Sequence, residues 1–77
     1  MNKDRRKRLQ EIADTLEDQL TSLEEIRDEE QEAFDNLPEG FQGSDQGQAM
    51  EECADALDTA CSDLESLKDS LIEILER

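Results

Sequence analysis

A chain of 77 residues with a formal net charge of −15 can form one small domain, and it is too short to bury an extensive core of its own. It contains no His, and its only cysteines are Cys53 and Cys61, so a Cys/His zinc site within one chain is excluded. The basic start, residues 1–8, leads into a polar segment, and we therefore expect neither a secretory signal nor a membrane-spanning helix but a cytoplasmic protein.

The first half of the chain predicts one long amphipathic helix over about residues 3–36. Its apolar residues recur every seven positions, which is the pattern of a helix in a left-handed supercoil and not that of a strand. Acids fill the positions between them, so the segment is amphipathic rather than merely polar. The apolar positions are Leu9, Ile12, Ala13, Leu16, Leu20, Leu23, Ile26, Phe34 and Leu37.

A corner over residues 37–44 separates this helix from the next. Pro38 disfavours the helical conformation at Leu37 and cannot continue a helix itself, so the first helix has to end just before it. The sequence LPEG predicts a turn with Pro38 at its second position and Gly40 at its fourth. We expect four apolar side chains to cover the inner side of this turn. They are Phe34, Leu37, Phe41 and Met50.

A second long helix is predicted over about residues 45–76, with the Ser44 hydroxyl as its N-cap. Three apolar series repeat every seven residues along it: Met50, Leu57, Leu64 and Leu71; Cys53, Ala60, Leu67 and Ile74; and Ala54, Cys61 and Leu75. Eight residues of helix separate the two cysteines by roughly 12 Å, too far for a disulfide within one chain. We therefore expect both to be small, reduced core residues.

The two helices predict an all-α fold, an antiparallel helical hairpin of coiled-coil type. Facing residues should have numbers that add up to about 84, which places Leu20 near Leu64 and Leu23 near Cys61. Arg27 and Glu30 fall inside the apolar stripe of the first helix, at a spacing that allows them to pair. Because each stripe is wider than one contact surface, we expect two hairpins to dimerise into a four-helix bundle.

The basic start agrees with this hairpin. Five of the chain's eight Lys and Arg residues lie in residues 1–8, and the hairpin places Arg5, Arg6 and Arg8 beside Glu73, Glu76 and the carbonyl end of the second helix. We expect this cluster to compensate charge within the molecule. Direct binding to a nucleic acid is not expected, since the net charge of −15 repels a polyanion and no aromatic residues alternate with the Lys and Arg residues.

Sites for catalysis or for a cofactor are not apparent in the sequence. The segment DEEQEAFDNLPE, residues 28–39, resembles a calcium loop in its first acids, but Ala33 occupies the position of the required glycine. A di-metal bundle site needs His, and the serines have no base to activate them. We expect a protein that is not an enzyme and that has no catalytic residue, cofactor or metal site.

The acids offer a different kind of site. Eight acids on the first helix recur at helical spacing on its outer side. This acidic ridge consists of Asp14, Glu17, Asp18, Glu24, Glu25, Asp28, Glu29 and Glu32. Asp55, Asp58, Glu65 and Asp69 supply sparser acids on the second helix. Such a ridge either binds a protein with a basic surface or is simply a solvated face.

The corner also carries a resemblance. Residues 27–42, RDEEQEAFDNLPEGFQ, followed by residues 47–71, resemble a group of small acidic helical bacteriophage proteins with an E-x-A-F-D-N-L-P-E signature. The residues of this chain at the signature are Glu32, Ala33, Phe34, Asp35, Asn36, Leu37, Pro38 and Glu39, with Gln31 at the position of the first Glu. The resemblance implies a phage origin, a location in the cytoplasm of the infected bacterium, and no established biochemical activity.

Two functional hypotheses follow from these observations. The first is an acidic phage interaction protein, a homodimer that mimics a nucleic acid and inhibits a host nucleic-acid-binding or defence protein, because carboxylates on rigid helices can replace phosphates. The second is a structural or assembly module, in which exposed heptad surface docks onto another helical protein and the acids keep the dimer soluble.

Overall fold

The computed structural model describes residues Met1–Arg77 and consists of helices only. A 33-residue helix α1 spans Lys3–Asp35, a four-residue helix α2 spans Glu39–Gln42, and a 31-residue helix α3 spans Asp45–Leu75. Helices α1 and α3 pack antiparallel, and the Cα atoms of the chain extend over 59 Å by 14 Å by 13 Å. The predicted all-α helical hairpin is confirmed.

Side-chain caps fix where the two long helices begin. The Asn2 side chain accepts a hydrogen bond from the main-chain N–H of Arg5, at 2.8 Å, and the Ser44 hydroxyl accepts one from the N–H of Gly47, at 3.2 Å. Both caps satisfy a donor that has no partner inside the helix. Ser44 is therefore the N-cap of the second long helix, as predicted.

The two long helices meet along one seam. Four apolar residues are buried in it, Ala13, Leu20, Ala54 and Cys61, and none of their side chains is completely enclosed. The fifth buried residue of the chain, Gly47, lies against the corner. The remaining seam positions are half-buried, among them Leu16, Leu23, Leu57 and Leu64. Two helices alone can enclose only the innermost series of each apolar stripe, which is why this core is so thin.

Two ion pairs cross the seam and define its register. Arg27 of α1 contacts Asp58 of α3 at 3.2 Å, and Lys68 of α3 contacts Glu17 of α1. In both pairs the two residue numbers add up to 85, which agrees with the predicted register of about 84. The expected pair of Arg27 with Glu30 does not form, because the guanidinium binds Asp28, at 3.0 Å, and Asp58 instead. Glu30 lies half-buried without an ion pair.

The corner differs from the predicted turn. Pro38 is extended, and the chain after it forms the single turn of α2, in which the N–H of Phe41 donates to the carbonyl of Pro38 at 2.8 Å. Phe34, Leu37 and Met50 are half-buried, as expected, but Phe41 is 61% exposed. Phe41 therefore does not cover the corner, because the extra helical turn directs its side chain outward.

Gly47 explains how the corner fits against α3. It is buried within the first turns of α3, where a Cβ would clash with the main-chain oxygens of Phe41 and Gln42. Only a residue without a side chain allows the backbone of α2 to approach so closely. One of the three glycines grouped in this segment is thus a packing residue of the second helix and not part of a flexible loop.

The basic start of α1 lies at the other end of the molecule. The Arg6 guanidinium donates to the main-chain oxygens of Leu75 and Arg77, at 2.7 and 2.9 Å, and so binds the carbonyl end of α3 as predicted. Arg8 pairs with Asp4 on its own helix, at 3.3 Å, instead of with Glu73 or Glu76. Arg5 makes no ion pair, so the expected contact with Glu73 or Glu76 does not form.

Candidate interaction surfaces

The structure contains no group of His, Cys, Asp or Glu side chains arranged to hold a metal ion. None of its helices combines the length and the apolar character needed to cross a bilayer. Almost all side chains of the hairpin lie on its surface, so the candidate functional residues are surface residues. An antiparallel helix pair has two broad faces, one on each side of the seam, and the two faces of this hairpin differ in chemistry.

The acidic face is the broad face on which Arg27 and Lys68 emerge from the seam. A shallow depression on it is lined by Arg27, Asp28 and Gln31 of α1 and by Ala54, Asp55 and Asp58 of α3, so acids of both helices meet there. The heptad pattern places further acids on the same face above and below this depression. They are Asp14, Glu17, Glu24, Glu51, Glu65 and Asp69.

The predicted acidic ridge lies on this face and on the back of α1. Seven of its eight members are exposed and Glu24 is half-buried. Glu17 and Asp28 are bound in ion pairs with Lys68 and Arg27, so they are less free to contact a partner than the others. The α3 acids described as sparser, among them Asp55 and Asp58, lie beside the ridge instead of on a separate surface.

The two cations of the seam respond to the acids around them. A hydrogen bond to Asp28 raises the pKa of Arg27, and partial desolvation opposes this effect. In the same way, the hydrogen bond to Glu17 raises the pKa of Lys68 above its ordinary value, again against desolvation. Both residues therefore stay charged at neutral pH although their side chains are only 27% and 15% exposed.

The apolar face is the opposite broad face. Its positions next to the seam are occupied by Ile12, Gln19, Ile26 and Ala33 of α1 and by Cys53, Ala60, Leu67 and Ile74 of α3. Ile12, Ile26 and Leu67 are each about half exposed, at 52%, 51% and 52%. No acid occupies these positions. The hairpin thus leaves four large aliphatic side chains of this face in water, Ile12, Ile26, Leu67 and Ile74.

The two cysteines lie in different environments. Cys61 is buried in the seam, as predicted, but Cys53 is exposed on the apolar face. The expectation that both are core residues was wrong for Cys53, because its series lies one position beside the seam and two helices do not enclose it. The sequence signal for the apolar face is the seven-residue series of Cys53, Ala60, Leu67 and Ile74, a pattern that is shared by an enclosed core and an exposed apolar face.

Comparison of the chain with protein-family models, with curated proteins and with solved structures finds no match.

Proposed function

We propose that this chain is a non-enzymatic interaction protein: an acidic homodimer that binds a basic surface on another protein by presenting carboxylates where a nucleic acid presents phosphates. The observation that carries the proposal is the exposure of the acids. Of 23 Asp and Glu residues none is buried, and only Asp4, Glu17, Asp28 and Asp58 take part in ion pairs. The others are free to pair with Lys and Arg of a partner.

The spacing of the ridge supports mimicry. Its members extend from Asp14 to Glu32, about 27 Å of helix, which gives a mean axial spacing of about 3.9 Å between successive carboxylates. One strand of DNA carries about one phosphate per 3.4 Å along its axis. A groove lined with Lys and Arg for a phosphate backbone would thus meet a similar line of charge, held on a rigid helix.

The identity of the partner rests on the resemblance to phage proteins. If the chain acts in an infected bacterium, its target is a nucleic-acid-binding or defence protein in the cytoplasm of that host. Blocking such a protein requires only occupation of its basic groove, for which no catalytic residue is needed.

A second function is favoured by the apolar face. A structural or assembly module docks through exposed aliphatic side chains such as Ile26 and Leu67, and its acids only keep the surface hydrated. The two functions differ in whether binding to the partner depends on the acids. Neutralising the ridge removes binding by a mimic and leaves docking by an assembly module nearly unchanged.

The test compares two variants of equal charge. The ridge variant replaces Asp14, Asp18, Glu25 and Glu29 by the corresponding amides; all four are exposed and free of ion pairs. The control variant neutralises four exposed acids outside the ridge in the same way. They are Glu11, Asp63, Glu73 and Glu76.

Each protein is immobilised and used to capture proteins from a bacterial lysate, which are eluted by a salt gradient or by duplex DNA. We expect the wild type and the control variant to release the same protein both with DNA and at moderate salt, and the ridge variant not to retain it. Equal retention by the ridge variant would show that the acids are a solvated face, and the assembly function would replace mimicry.

A further inference from the structure

We infer that two copies of this chain pair through their apolar faces in antiparallel orientation, so that the corner of one hairpin lies beside the basic end of the other and both acidic faces point outward. This inference rests on the homodimer of the proposed function and adds the surface and the direction of pairing. We infer a second copy as the partner of the apolar face because the side-chain sizes, the end charges and the area of one hairpin's apolar face all fit those of another hairpin.

The sizes of the side chains favour an antiparallel arrangement. Along the apolar face, Ile12 and Ile74 lie at the basic end, whereas Ala33 and Cys53 lie near the corner. Antiparallel pairing places these large residues against these small ones. Parallel pairing would bring four isoleucines together at one end and leave four small residues facing each other at the other, which produces crowding and a cavity.

Charge favours the same direction. Lys3, Arg5 and Lys7 at the open end of the hairpin make no ion pair. The corner end carries exposed acids and no unpaired base, among them Glu32, Asp35, Glu39, Asp45, Glu51 and Glu52. An antiparallel dimer places each basic end beside a partner's acidic corner, while a parallel dimer places like charges together.

The area of the face is sufficient. The 31 residues of α3 give a shared length of about 45 Å, and two helices of about 10 Å diameter side by side give about 900 Å² per hairpin. Stable interfaces bury about 800 Å² per partner. The hairpin alone buries only 5 of its 77 residues, so it lacks the core that a second copy would complete.

The direction is measured with a spin label on the exposed native Cys53, since Cys61 is buried and protected from the reagent. In the antiparallel dimer the two labels are about 30 Å apart along the axis, and in a parallel dimer they lie side by side within about 20 Å. Labels at Gln48→Cys, in a Cys53→Ser background, test the same geometry outside the apolar face. There we expect about 45 Å.

Three outcomes are distinguished when the distances are combined with sedimentation of the unlabelled protein. A dimer with long distances at both positions supports the inference. A dimer with short distances overturns the antiparallel direction and leaves the homodimer of the proposed function intact. A monomer at high micromolar concentration overturns self-association itself, whereas the lysate competition still decides separately whether the acids bind a basic partner.

Discussion

The two broad faces flank the same seam, yet they are built from opposite residues. Positions beside the seam carry Glu17, Glu24 and Asp58 on the acidic face, whereas the apolar face presents Ile12 and Leu67 there. Packing of the hairpin does not explain this difference, because both sets are largely exposed in the single chain. The sequence therefore concentrates large aliphatic side chains beside the seam on one face, which is the face through which we propose that a second copy packs.

The largest expected effect separates the seam from the apolar face through their cysteines. Cys61 is buried and can react with a thiol reagent only after the hairpin opens, whereas Cys53 is exposed. In dilute native protein we therefore expect Cys61 to react about a thousandfold more slowly than Cys53. Rates are measured by mass spectrometry of each labelled site. In denaturant both should react alike, and equal rates in the native protein would show that Cys61 does not lie in a closed seam.

The second prediction compares the apolar face with the outer surface of α3. Leu67→Asp puts a carboxylate into the proposed interface, and we expect it to raise the dissociation constant of the dimer by about a hundredfold or more. Ser66→Asp adds the same charge one residue away, at an exposed position outside the interface, and should change it little. Sedimentation over a concentration series measures both, and equal effects would mean that net charge alone governs association.

The hairpin was predictable because Pro38 and the seven-residue repeats act over short sequence distances. The difference between the acidic face and the apolar face was harder to predict from the sequence. Cys53 and Cys61 both belong to apolar series, and only the geometry of two packed helices decides that one is enclosed. Likewise, Arg27 has an acid within reach on its own helix, Glu30, but the folded chain offers it Asp58 from the other.

The acidic ridge was predictable as an exposed set, since charged residues between apolar series face water. Its position on the same side as the α3 acids was not, because this depends on how the corner sets one helix against the other. Phe41 is a similar case. A single turn of helix after Pro38, in place of the predicted turn, moves its side chain from the inner side of the corner to solvent.

A third prediction concerns the self-repulsion of the acidic face. Raising NaCl from about 0.01 M to about 1 M shortens the Debye length from about 30 Å to about 3 Å and screens the unpaired carboxylates from one another. We expect the melting temperature of the wild type to increase by several degrees. The ridge variant should start higher at low salt and increase less. A melting temperature that falls with salt would show that the ion pairs, and not the repulsion, dominate.

The smallest expected effect concerns the pair that ties the seam to the acidic face, Glu17 with Lys68. Glu17→Gln removes the partner of Lys68, and Glu25→Gln is the matched control, since Glu25 is exposed, has no ion pair and loses the same charge. At pH 7 we expect Glu17→Gln to melt a few degrees lower than Glu25→Gln at most, because partly exposed ion pairs contribute little. Thermal unfolding followed by circular dichroism measures the difference.

The pH dependence of this difference follows from the raised pKa of Lys68. Because its pKa in the folded state lies above the ordinary value of 10.5, the pair stabilises the protein fully below that pH and is lost as pH rises through the higher folded value. The two variants should therefore differ in melting temperature from pH 7 to about pH 9, and the difference should disappear as pH rises above 10.5 through the higher folded pKa of Lys68. A difference that persists unchanged at high pH would mean that Glu17 acts through packing, and that the acidic face is joined to the seam without the Lys68 charge.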